Sequence, residues 1–214
     1  MVRKFRKRSC SLVTLKKFVY LISPKKIYKG FYEDLTKVLS VNNVKFFQLR
    51  LKKIKKVNII KVATEIRKIT KKYKVKLIIN DHPSISKIIN ADGCHLGQKD
   101  GSIINSKKYL KKRIIGVTCH NSKLLAKIAV QNKADYLAFG SFYKSKLKPN
   151  AKRANMNILK WAKKNIKKPI VAIGGINDSN YKKFIKSGAK YIAISSYIWD
   201  NPKLKPEIAI RKFK

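Results

Sequence analysis

Short apolar runs rich in β-branched and aromatic residues recur along the chain, at 18–22, 44–49, 75–79, 94–96, 114–117, 136–139, 170–173 and 191–194. They are too short for buried helices and nearly continuous rather than alternating, which is how strands covered on both faces read. Polar or helical-period segments separate them, among them 57–72, 122–132, 155–164 and 179–187. Parallel strands joined by amphipathic helices build an α/β sheet, and eight such units close into a barrel. The pattern therefore predicts a single-domain (β/α)8 TIM barrel over 17–214, preceded by a basic N-terminal extension over 1–16. A doubly wound open sheet is the other arrangement that the same alternation permits. A chain of 214 residues suits one well-buried domain, and no repeat, Gly/Ser linker or Pro-rich hinge divides it.

A barrel of this kind builds its active site from the loops that follow the strands. Those positions are chemically distinctive here. The second run carries Gln48 and leads into Arg50 and Lys52; the third ends at Asn80 and Asp81; the fourth leads to Gln98 and Asp100. The fifth ends in Thr118, Cys119, His120 and Asn121, and the sixth in GSFYKSKLK, from Gly140 to Lys148. Gly174 and Gly175 follow the seventh run, and Ser195 and Ser196 the eighth.

Composition sharpens this picture at one place. The chain has 53 Lys plus Arg against 10 acidic residues, and three of the ten, Asp81, Asp92 and Asp100, fall within the stretch LIINDHPSISKIINADGCHLGQKD. Carboxylates at the ends of neighbouring strands suit Mg2+, a hard ion that prefers oxygen and bridges to substrate phosphates. An Asp in this position also makes a good helix N-cap, which is the plainer use of either residue alone. Asp92, in an Ala-Asp-Gly turn before a strand, reads as structural. Arg50 and Lys52, together with Lys148, can clamp a diphosphate, and the glycine turn at 174–175 lets backbone amides approach an oxyanion. His82, His95 and His120 have no zinc-type spacing; His95, inside a strand, reads as a packed barrel or pocket residue.

The net charge of +43 points towards nucleic acid in most proteins, but Lys outnumbers Arg 45 to 8 and is spread along the whole chain. Nucleic-acid recognition favours Arg with aromatics on one face, so a solvated basic surface and no specific nucleic-acid partner are expected. Three cysteines, Cys10, Cys94 and Cys119, make no disulfide framework and fit a reducing cytoplasm. No apolar run approaches the ~18 residues of a membrane span. The sequence leaves room for a homo-oligomer.

In order, these pieces resemble the thiamine phosphate synthase family, from about Tyr20 to Trp199. FVYLIS is similar to that family's first strand, FFQLRLK to its Gln-x-Arg-x-Lys strand, and LIIND with ADGCHLGQKD to its two metal-bearing loops. IGVTCH, DYLAFGSFYKSKLK, VAIGGI and IAISSYI match the remaining loops. The resemblance implies a transferase that joins 4-amino-2-methyl-5-hydroxymethylpyrimidine diphosphate to a thiazole phosphate, with or without a carboxylate, giving thiamine phosphate and pyrophosphate. It further implies that Gln48, Arg50, Lys52, Asn80, Thr118 and Lys148 bind the pyrimidine diphosphate, Arg50, Lys52, Thr118 and Lys148 acting in catalysis. Asp81 and Asp100 would hold Mg2+, and Gly175, Ser195 and Ser196, with Ser145, Lys146 and Leu147, would receive the thiazole phosphate. The chain departs from the family in carrying Ser145 and Leu147 where many relatives have two Thr, and Thr118 where many have Ser. A thiazole tautomerase of the same barrel type, and a basic binder of RNA or anionic surfaces, are the competing readings. The first needs a working His, and the second leaves the polar strand ends unexplained.

Overall fold

The computed structural model describes residues 17–143 and 153–214. Eight parallel strands form a closed barrel in sequence order: β1 Val19–Ile22, β2 Val44–Leu49, β3 Lys76–Asn80, β4 Gly93–Leu96, β5 Ile114–His120, β6 Tyr136–Gly140, β7 Ile170–Ile173 and β8 Tyr191–Ile194. The closing pair is β1 with β8, in register Val19↔Ile192, Tyr20↔Ala193 and Leu21↔Ile194. The open sheet is thereby excluded. The helices are α1 Phe31–Ser40, α2 Lys56–Lys72, α3 Pro83–Ile88, α4 Ile103–Leu110, α5 Lys123–Gln131, α6 Met156–Asn165, α7 Tyr181–Lys186, α8 Ser196–Trp199 and α9 Pro206–Arg211.

Strand parity divides the apolar residues into two cores. Val19, Leu21, Phe47, Leu49, Leu77, Ile79, Cys94, Leu96, Ile192 and Ile194 point outward and pack beneath the helices. Tyr20, Ile22, Phe46, Ile78, Tyr136, Ala138, Val171, Tyr191 and Ala193 point inward and fill the barrel. Successive side chains on a strand face opposite ways, so a strand buried on both faces must be apolar at nearly every position, as these runs are. Helix α2 shows the complementary rule: Ile59, Ala63, Ile66 and Thr70 are buried on one stripe, while Lys56, Lys61, Lys68, Lys71 and Lys72 are exposed. The cations of α2 thus lie on its outer face.

Asp92 is structural, as its turn suggests. Its carboxylate accepts from the backbone N–H of Leu77 at 2.9 Å and from Lys76 Nζ at 2.9 Å, and it pairs with Arg67. These partners hold the carboxyl below the usual range although half-burial works the other way. Asp135 repeats the device before β6, accepting from the Ile115 N–H at 2.7 Å and pairing with Lys107. At the end of the chain Asn43 Nδ2 donates to the carbonyls of Ile210 (3.2 Å) and Phe213 (2.9 Å), which ties the α9 segment to the start of β2. No helix among the described residues is long and apolar enough to cross a membrane. Segments 1–16 and 144–152, and with them the basic extension and Ser145, Lys146, Leu147 and Lys148, lie outside the described residues.

Candidate active site

The carboxyl-terminal rim gathers the scarce acids. Asp81 directly follows β3 in the left-handed region (φ 62°), a conformation Asp tolerates better than most residues, and its N–H donates to the His95 carbonyl at 2.8 Å. Asp100 is held by a tight turn after β4: its Oδ2 accepts from the Gly97 N–H at 3.0 Å. A Cβ on Gly97 would lie 2.3 Å from that same oxygen and would push the carboxylate off this seat, so the Gly97–Asp100 bond favours glycine. Neither Asp caps a helix. The residue before α3 is His82, without a side-chain cap, and α4 is capped by Ser102, which accepts from the Asn105 N–H.

The two carboxyls act on each other. Burial first, then the hydrogen bond and charge of Asp100, raise the Asp81 pKa; Lys52 and Arg50 oppose the rise. Lys52 Nζ lies 3.7 Å from Asp81 Oδ2. Arg50, just past β2, is fixed through its backbone N–H, which donates to Ser23 Oγ at 3.0 Å. Arg50, Lys52, Asp81 and Asp100 therefore share one electrostatic neighbourhood. Among the described residues no group of three or more His, Cys, Asp and Glu converges on a point, so a cation here would have two carboxylates and otherwise water or substrate oxygens. That donor set fits Mg2+ and not zinc.

Beneath the rim lies a buried polar layer. Gln48 Nε2 donates to the Tyr20 hydroxyl at 3.0 Å, Tyr20 and Tyr136 hydroxyls are 2.7 Å apart, and His95 Nδ1 is 2.9 Å from the Tyr136 hydroxyl. His95 Nε2 lies 2.9 Å from Thr118 Oγ1. Burial, then the Arg50 charge, lower the His95 pKa to about 4, so the imidazole is neutral at pH 7. Asn80 ends β3 opposite His95. Gln98 donates to the Thr118 carbonyl across the mouth. Tyr20 and Tyr136 escape a reading of runs alone, because both count there as apolar strand residues; placing them on the inward parity with Gln48 and His95 would have found them.

On the other side of the mouth, Gly174 (φ 109°) and Gly175 (φ 65°) make the turn after β7. A Cβ on Gly175 would meet Tyr143 Cβ at 2.5 Å, so this close approach also demands glycine. Gly175 and Ser196 line a shallow hollow of about 280 Å³ with Asn177 and Tyr197. Ser195 is placed differently from Ser196: its hydroxyl donates to the Ser23 carbonyl at 3.0 Å, tying β8 to the loop after β1.

Comparison with known proteins agrees with this geometry. A family model described as thiamine monophosphate synthase matches residues 19–198. Thiamine-phosphate synthase of Pelagibacter ubique is 56% identical over 93% of this chain and 97% of its own length. That of Erythrobacter litoralis is 37% identical over 85% and 87%. The solved thiamine phosphate pyrophosphorylase of Pyrococcus furiosus superposes with a TM-score of 0.82 at 26% identity, covering 93% of both chains. With a matching model over most of its length, two such relatives and the same barrel, the chain belongs to the thiamine monophosphate synthase family.

Proposed function

We propose that this chain condenses 4-amino-2-methyl-5-hydroxymethylpyrimidine diphosphate with 4-methyl-5-(2-phosphoethyl)thiazole, or its carboxylated form, and releases thiamine phosphate and pyrophosphate. The observation that carries this reading is the meeting of Asp81 and Asp100 with Lys52 and Arg50 on one rim, above a polar floor of Gln48, His95 and Thr118. The substrates are small, water-soluble phosphate esters, which suits a cytoplasmic enzyme without a nucleic-acid partner.

The roles are those that the family resemblance implies. Gln48, Asn80 and Thr118 orient the pyrimidine, while Arg50, Lys52 and Lys148 bind the diphosphate. Held by Asp81 and Asp100, Mg2+ would neutralise charge that develops on the departing pyrophosphate. Cleavage of the carbon–oxygen bond leaves a pyrimidine cation stabilised by its amino group, and the thiazole nitrogen supplies the electron pair for the new carbon–nitrogen bond. The thiazole phosphate is received by Gly175 and Ser196, with Ser195 and with Ser145, Lys146 and Leu147. Positioning and charge neutralisation supply the rate, and no side chain forms a covalent bond to substrate.

A tautomerase requires a histidine free to move a proton, whereas both ring nitrogens of His95, the histidine inside the barrel, are engaged, and the relatives named above are synthases. A nucleic-acid binder has no use for a carboxylate pair on the rim. The test is direct: incubate the protein with both substrates and Mg2+ and follow thiamine phosphate by thiochrome fluorescence, beside Asp81→Ala and a metal-free control. Product that disappears in both controls supports the reading. A folded protein that yields none overturns it.

A further inference from the structure

The buried layer below the rim is one continuous chain of hydrogen bonds, Gln48–Tyr20–Tyr136–His95–Thr118, with its two ends on residues that face the mouth. Each hydroxyl in it has one proton, and Gln48 Nε2 is the donor at the first bond. Tyr20, accepting from Gln48, must donate to Tyr136; Tyr136, accepting from Tyr20, must donate to His95 Nδ1; the remaining ring proton then sits on Nε2 and is donated to Thr118. With the Gln48 amide placed with Nε2 towards Tyr20, no other assignment leaves both phenol protons with an acceptor; the amide turned over would run every bond the other way. Asn43 Oδ1 is the one fully buried side-chain polar atom lacking a partner among the described residues, so Gln48 Oε1, which has none there either, keeps access to the mouth. The far end is equally defined: Thr118, accepting from His95, has its own proton left to donate.

We propose that this chain of bonds fixes the direction in which Gln48 and Thr118 read the substrate, Gln48 Oε1 as an acceptor and the Thr118 hydroxyl as a donor, and so selects a pyrimidine bearing an amino group over its deaminated, 4-oxo counterpart. Tyr20, Tyr136 and His95 are positioning residues in this account: they act on substrate only through the two ends. Gly116 belongs to the device, because a Cβ there would lie 1.8 Å from Tyr136 Cζ; its bareness lets the phenol lie across β5 and reach both Tyr20 and His95. The inference rests on the synthase reading given above.

The two phenols differ in what their loss does. In Tyr136→Phe the Tyr20 proton has lost its acceptor, and its nearest alternative is the amide oxygen of Gln48. The amide turns over and presents its NH2 to the mouth, a donor suited to the 4-oxo group. In Tyr20→Phe the amide is merely released, so selection relaxes without reversing. Steady-state rates are measured for wild type and both variants with the amino and the 4-oxo pyrimidine diphosphates, and folding is checked by circular dichroism. The expected result is an amino-over-oxo preference in kcat/KM that falls about tenfold or more in Tyr136→Phe, less in Tyr20→Phe, with KM for the thiazole phosphate unchanged. The double variant should behave like one broken chain, with no further loss in proportion. A folded Tyr136→Phe or Tyr20→Phe enzyme that slows equally on both pyrimidines and keeps the wild-type preference overturns the proposal. Failure of the wild-type enzyme to make thiamine phosphate counts instead against the synthase reading on which it rests.

Discussion

Asp81 sits half-buried beside a second carboxyl, so its charged form is held at a disadvantage when no cation is present. Asp81→Asn keeps the shape and removes the repulsion. Its melting temperature without Mg2+ should therefore rise slightly, while kcat/KM with Mg2+ falls by about 100-fold; scanning calorimetry and the thiochrome assay read the two effects. A merely structural Asp would lose stability on the same change. His95 gives the opposite kind of prediction. Its ordinary pKa of 6.5 is pushed down to about 4 in the fold, so between these values the unfolded chain binds the extra proton. The stability that His95 contributes is whole above pH 6.5 and is lost as the pH falls towards 4. Urea unfolding at pH 7 and pH 5 should differ by up to about 2 kcal/mol from this residue, and His95→Gln should flatten the slope. Asp81 and Asp100 are legible in the sequence because acids are so rare there. Gln48 and Thr118 stand out less, and their partners Tyr20 and Tyr136 not at all, since a phenol inside a strand reads as apolar until its facing is known.

Among the elements, the strands are the most legible: 44–49, 170–173 and 191–194 are read to the residue, because a strand buried on both faces leaves an unbroken apolar signature. β5 runs on to His120, three residues past its apolar stretch, since the polar Thr118 and His120 still join the ladder to β6. The short helices α3 and α8 carry too few residues to repeat an amphipathic period, so their existence follows from the barrel more than from their own pattern, whereas α7 falls within the helical-period segment 179–187. Gly116 offers a test at this scale. The β5–β6 pairing sets Gly116 beside Tyr136, and Gly116→Ala would force the phenol off its place. Overpacking of this sort destabilises by about 1–3 kcal/mol. Chemical denaturation should show that loss, together with the same weakened amino-over-oxo preference as Tyr136→Phe. A variant that loses stability yet keeps full preference would separate the glycine from the hydrogen-bond chain.

At the scale of the whole molecule the sequence carries the topology, the family and the charge, yet not the closure of the polar layer, which exists only once eight strands bring distant residues together. Tyr20 and Tyr136 are 116 positions apart and touch through their hydroxyls. The net charge of +43 repels itself, so the melting temperature should climb as salt is raised from low to physiological ionic strength, where the Debye length shrinks to about 8 Å. The same surface field has a kinetic side. Both proposed substrates are anions, and a cationic shell draws them in from a distance before any contact forms. Added salt should then lower kcat/KM for the diphosphate over the range in which it steadies the fold. Encounter and endurance would pull in opposite directions on one property, leaving the enzyme quickest to capture its substrate in dilute electrolyte and longest-lived in concentrated.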